Sequence, residues 1–131
     1  MIAVDTSVII AILMAEPERE KLIGGLADHF PTYLSAVSLQ EAGMVMRSRR
    51  GSDGVKDLVD LLAVLRIQVV PYDEPQARLA IEAFSQFGKG MGSVAKLNMG
   101  DCASYALAKS MNVPLLFKGD DFTATDIASV L

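Results

Sequence analysis

Apolar runs of three or four residues recur along the chain, separated by longer stretches whose apolar positions fall three and four apart. Residues 2–4, Ile-Ala-Val, read as a buried strand that ends at Asp5. A helix over 8–14 follows, with Thr6 or Ser7 placed to cap it. A second helix opens in Glu16-Pro-Glu-Arg-Glu20, with Pro17 in its first turn, and runs to about Ala27 before Phe30-Pro31 breaks it. A second strand is predicted at 32–34, then a helix starting from Ser35 or Ser38 and reaching Arg49. Gly51-Ser-Asp-Gly54 reads as a turn, and 55–65 as a helix with apolar residues at 55, 58, 59, 62 and 65. A third strand at 67–70 stops at Pro71. A helix over 74–87 should turn Leu79, Ile81, Ala83 and Phe84 mostly inward. The glycine-rich 88–92 is a loop. An alanine-rich helix spans about 100–111, a fourth strand 114–117, and residues 127–131 suggest a short edge strand.

Strands that alternate with helices imply one α/β domain over residues 1–131: a central parallel sheet of four to five strands with helices on both faces. Ligands of such sheets bind beyond the carboxyl ends of the strands. Acidic residues gather at that edge. Asp5 ends the first strand, Asp120 and Asp121 follow the fourth, and Glu41 and Asp101 lie in the first turns of helices that start there. Each acid taken alone has a plainer explanation. Asp5 can cap a helix, Ser38-x-x-Glu41 is a capping box, Asp101 suits a helix dipole, and Asp120-Asp121 is a polar turn. Together they converge. Two carboxylates 4 Å apart repel by roughly 4 kcal/mol at an effective dielectric of 20. A cluster of four therefore calls for positive charge, most simply a divalent cation held by oxygen ligands.

Composition narrows the rest. The chain is 51% hydrophobic and 21% charged, which excludes disorder and allows a full core at 131 residues. A net charge of −4 argues against binding nucleic acid through a broad basic face, but not against a nuclease. Arg47, Arg49 and Arg50 form a local basic cluster, and Lys118 is the basic residue nearest the acids, so Lys118, Arg47 and Arg50 are the candidates for phosphate contacts. Single Cys102 rules out an internal disulfide, and His29 has no second histidine with which to build a metal site. The chain starts without a signal-peptide pattern and its longest apolar stretch cannot span a bilayer, so the expectation is a cytoplasmic protein without a membrane role.

Four segments carry a family likeness: Val-Asp-Thr-Ser at the start, Ser-x-x-Glu in mid-chain, Gly-Asp-Cys-x-x-Tyr-Ala-Leu-Ala within 98–109, and Leu-Leu-Phe-Lys-Gly-x-Asp-Phe-x-x-Thr-Asp within 115–127. The chain resembles the PIN-domain ribonucleases along its whole length, and more narrowly the VapC toxins of bacterial type II toxin–antitoxin pairs. The resemblance implies a homodimer, Mg²⁺ or Mn²⁺ as cofactor, an RNA substrate and a small VapB-like antitoxin. It matches Asp5, Glu41 and Asp101 to the first three site acids. Asp121 matches the fourth, with Asp120 as the competing position. Ser7 matches the hydroxyl that supports the cluster. Two rivals remain at this point. A receiver-type signalling domain also binds Mg²⁺ at a parallel sheet edge, and a catalytically silent PIN-like module would keep the pocket only to hold a partner.

Overall fold

The computed structural model describes all residues from Met1 to Leu131. Four parallel strands form one sheet: β1 (Ile2–Val4), β2 (Thr32–Ser35), β3 (Gln68–Val70) and β4 (Leu115–Leu116), in the order β3-β2-β1-β4. Five helices connect them: α1 (Thr6–Leu13), α2 (Arg19–Asp28), α3 (Ala36–Val64), α4 (Glu74–Phe87) and α5 (Met99–Met111). The two-residue period of a strand sends alternate side chains to opposite faces. Ile2, Val4, Leu34 and Leu116 pack under Val8, Ile9, Ile12, Leu22, Leu26, Leu58 and Leu62 of α1, α2 and α3. Ala3 and Leu115 pack on the other face against Ala80, Ala83, Cys102, Tyr105 and Ala106 of α4 and α5. Helices thus cover both faces, as the alternation of elements predicts.

Residues 100–108 of α5 are all buried. Its small residues, Ala103, Ala106 and Ala108, let the helix lie close to the sheet. That close approach sets the depth of Asp101 relative to β1.

Several boundaries differ from the sequence expectation. Among the three candidate caps of α1, Asp5 takes the role and Thr6 and Ser7 lie inside the helix. Helix α2 begins at Arg19, because Pro17 and Glu18 form a turn first. Of the two serines expected to start α3, Ser35 is the cap and Ser38 is already inside the helix. The expected turn over 51–54 shrinks to one residue. Gly51 takes φ 66° and ψ −153°, a conformation open in practice to glycine alone, and helical geometry resumes immediately after it. On α4 the buried stripe is Gln76, Ala80 and Ala83, while Ile81 and Phe84 point outward, 67% and 38% exposed. The expected fifth strand over 127–131 reduces to a single bridge between Leu115 and Ser129.

The break at Gly51 lets the second half of α3 pack back on the first, and Gly54 is the contact point. A Cβ there would sit 2.5 Å from the Met46 carbonyl oxygen and 3.0 Å from the Arg50 Cβ. Alanine is the better helix former, yet Gly54→Ala should destabilise the protein by about 1–3 kcal/mol through this overpacking. Urea denaturation measures it, and a gain in stability would show that the break closes without Gly54.

Candidate active site

Asp5 leaves the carboxyl end of β1 and is only 5% exposed. Its Oδ2 accepts a hydrogen bond from the Ser7 backbone N–H at 3.1 Å, the cap of α1. Its Oδ1 accepts from the Ser104 hydroxyl at 2.6 Å. Ser104 Oγ lies 3.2 Å from Ser38 Oγ, and both serines are buried. A hydroxyl has one proton to donate. Ser104 gives its proton to Asp5, so Ser38 donates to Ser104, and a directed relay runs from α3 through α5 to the end of β1. Neither role appears in the sequence expectation. The available signal was spacing: Ser104 follows Asp101 by three residues and so shares its helix face.

Asp101 sits in the first turn of α5 and does two jobs. Its Oδ2 accepts from the Asn98 backbone N–H at 3.1 Å, while Asn98 Oδ1 accepts from the Asp101 N–H at 2.9 Å, a complete capping box. Glu41 is freed from the capping role that Ser38-x-x-Glu41 suggests, because Ser35, three residues earlier, is the cap. Its carboxylate instead rests over the first turn of α5, against Gly100.

Asp120 and Asp121 both lie exposed in the turn after β4. Asp121 is the one whose charge acts on Asp101. Asp120 contributes its backbone carbonyl, which accepts from Thr123 Oγ1 at 2.8 Å. Ser7 Oγ accepts from the Lys118 backbone N–H at 3.0 Å, which ties the start of this turn to α1. Ser7 therefore supports the cluster twice, through its amide and through its hydroxyl.

The electrostatics are those of an uncompensated acid cluster. Burial raises the Asp5 carboxyl above its ordinary value, opposed by its serine donors and reinforced by the Glu41 charge. Asp101 is pushed up to about 7, chiefly by burial; the Asn98 amide lowers it, and the charges of Asp5, Asp121 and Glu41 raise it. Every ion pair in the chain lies elsewhere. Lys118, the expected phosphate contact, is held between Glu16 and Glu18. Arg50 is paired with Asp57 at 2.5 Å, and Arg47 is exposed without an ion pair. Burial pushes the Cys102 thiol up to about 11, in keeping with an inert core residue. As the side chains lie, no three acids converge into a ready-made cage for an ion. The donor set nonetheless suits a hard divalent cation: all oxygen, mutually repelling, and without a cation of the chain's own.

Residues 2–128 match the PIN domain family. The Ribonuclease VapC of Mycolicibacterium smegmatis is 43% identical over 127 residues, which cover 97% of this chain and 98% of that protein. Ribonuclease VapC28 of Mycobacterium tuberculosis is 44% identical over 128 residues, 98% of this chain and 96% of that one. Among solved structures, VapC20 of Mycobacterium tuberculosis, a sarcin-ricin loop cleaving toxin, aligns with a TM-score of 0.79 at 16% identity over 98% of this chain and 97% of its own. VapBC2 of Rickettsia felis, bound to a DNA fragment from its promoter, aligns with a TM-score of 0.73 at 15% identity over 98% and 97%. These two likenesses concern the fold, and the sequence identities carry the family. The receiver-type alternative falls with the family match, and the chain belongs to the PIN-domain family, among the VapC ribonucleases.

Proposed function

We propose that the chain is the toxin of a toxin–antitoxin pair, an endoribonuclease that depends on Mg²⁺ or Mn²⁺ and hydrolyses RNA phosphodiester bonds. The observation that carries this reading is the cluster of Asp5, Glu41, Asp101 and Asp121 at the carboxyl edge of the sheet, with no cation of the chain's own among them. Asp5 and Asp101 are the principal metal ligands. Glu41 and Asp121 complete the set or hold the attacking water. Asp120 stands outside it.

A bound Mg²⁺ or Mn²⁺ would supply an activated water and positive charge against the phosphate. The chain's own part is to hold the oxygens ready. Ser104 and the Ser7 amide each occupy one lone pair on Asp5 and fix its rotamer. The Asn98 amide fixes Asp101 in the same way. Attack of water oxygen on phosphorus breaks the P–O3′ bond and leaves 5′-phosphate and 3′-hydroxyl ends. No histidine takes part: His29 is bonded through Nδ1 to the Gly25 carbonyl. Of the basic candidates Arg47 is free for an RNA phosphate, whereas Arg50 and Lys118 must first leave their carboxylates.

Partners follow from the same surface. A toxin–antitoxin complex from Klebsiella pneumoniae shares the fold, and a VapB-like chain with a basic arm suits this acidic edge. An exposed apolar band of Met44, Ile81, Phe84 and Met99 flanks the site and suits a second copy of the chain, giving a homodimer. No helix is long and apolar enough to cross a membrane, and we place the protein in the cytoplasm with its RNA.

Asp5→Asn and Asp101→Asn should each reduce cleavage of a structured RNA pool on the order of 10²–10³-fold, and EDTA should do the same to the unaltered protein. Full activity in either purified variant would remove these residues from the site. Glu41→Gln should cost activity but little stability in urea, because Ser35 and not Ser38 caps α3.

Stability of the metal-free protein should depend on pH in a defined direction. The folded pKa of Asp101 lies above its unfolded value, so the folded state binds the extra proton between about pH 4 and pH 7. Stability therefore falls as pH rises through that window and stays low above it. Asp101→Asn keeps the acceptor for the Asn98 amide but removes the charge. The variant should be more stable than the unaltered protein at pH 8, by at most about 4 kcal/mol of unfolding free energy at 1.36 kcal/mol per pKa unit, and the gap should close near pH 4. Mg²⁺ should raise the melting temperature of the unaltered protein at pH 8 and leave the variant nearly unmoved. A gap independent of pH would refute the raised pKa of Asp101.

A further inference from the structure

Gly100 is the second residue of α5 and is buried. Its backbone is not in the left-handed region, so its conformation does not call for glycine. Glycine is a poor helix residue, and a buried helical position with no conformational need for it has another reason. At Gly24 an added Cβ would meet nothing within 4 Å, and at Gly43 only Leu58 at 3.8 Å. At Gly100 it would lie 2.6 Å from Glu41 Oε2, 2.8 Å from Oε1 and 2.9 Å from Cδ. The three atoms nearest to such a side chain all belong to the Glu41 carboxylate.

We propose that Gly100 is a positioning residue whose missing side chain is the seat of the Glu41 carboxylate, holding it over the first turn of α5 and next to Asp101. The seat joins two helices that no local sequence signal could link: Glu41 comes from α3 and Gly100 from α5. It places Glu41 where free N–H groups of a helix start favour an anion, and where its neighbour along the helix is the second site carboxylate. With any larger residue at 100, the carboxylate swings away and the acid cluster loses a member. The atoms in the way are the far end of a flexible side chain, so the fold survives the change while the geometry of the site does not. The inference deepens the proposed function and rests on it only for the consequence to metal and RNA; the contact itself does not depend on that reading.

The test is a double-mutant cycle with Gly100→Ala, Glu41→Ala and the pair, read by calorimetric titration with Mn²⁺, by thermal melting without metal, and by RNA cleavage. Gly100→Ala should keep the far-ultraviolet circular dichroism and a single cooperative melt, yet weaken Mn²⁺ binding about 10–100-fold, with a matching loss of cleavage. In the Glu41→Ala background the same change should alter Mn²⁺ affinity by less than about twofold, since no carboxylate remains to displace. Equal weakening in both backgrounds, or a Gly100→Ala protein that binds Mn²⁺ like the unaltered one, overturns the proposal. If the unaltered protein binds no Mn²⁺ at all, the metal reading of the site fails separately. The melting cycle then decides the seat alone: a change in melting temperature that differs between the two backgrounds upholds it, and the same change in both overturns it.

Discussion

The buried Asp5 carboxylate governs how the rest of this molecule is arranged. A charge at the end of the central strand, 5% exposed, is costly unless hydrogen-bonded. The chain answers with donors from two other places in the sequence, the Ser7 amide of α1 and the Ser104 hydroxyl of α5, and with Ser38 of α3 behind the latter. Those bonds fix where α1, α3 and α5 begin relative to β1. The alanine-rich face of α5 then lets Asp101 approach, and the short turn after β4, tied to Ser7 Oγ, brings Asp121 within electrostatic reach. Packing and charge are thus coupled. The core that stabilises the domain is the same structure that presses like charges together.

That coupling explains why the acids show split characters. Asp5 is a helix cap and a metal ligand under the proposed function; Asp101 is half of a capping box and the second such ligand. The helix terminus stabilises a carboxylate that its neighbours destabilise. Glu41 caps no helix, since that role in α3 went to Ser35. Its position depends on the hollow at Gly100 rather than on a hydrogen bond, which makes it the member of the cluster most easily displaced.

The parallel sheet, the two-faced layering and the sheet edge that gathers the acids were legible because they follow from alternation and periodicity, which are local; the strand order β3-β2-β1-β4 was not, because it is set by long-range pairing. Asp5 and Asp101 were legible because each sits at an element boundary that the apolar pattern marks. The failures share a cause. Ser35 and Ser38 both looked like caps of α3, and Ser-x-x-Glu is a local motif that favours Ser38; the cap fell to Ser35 at the end of β2, with Ser38 buried against Ser104. Ile81 and Phe84 looked like core because a helix stripe can be drawn through them; the competing stripe of Gln76, Ala80 and Ala83 won because small residues let α4 approach α5. Lys118 looked free because Glu16 and Glu18 are a hundred residues away along the chain. The Asp120–Asp121 ambiguity has no sequence solution, since only the turn's conformation decides which charge acts on Asp101.

The charge deficit has a consequence for how such a toxin is held in check under the proposed function. Whatever brings positive charge to the folded cluster, and not to the unfolded chain, stabilises the fold by linkage. A divalent ion and a basic arm of an antitoxin would draw on the same repulsion between Asp5, Glu41, Asp101 and Asp121. Once one has neutralised the cluster, the other gains little by entering it. The two occupants are therefore competitors by electrostatics alone, before any steric overlap is considered. An inhibitor of this kind need not recognise the RNA-binding surface at all. It has only to supply the charge that the fold lacks.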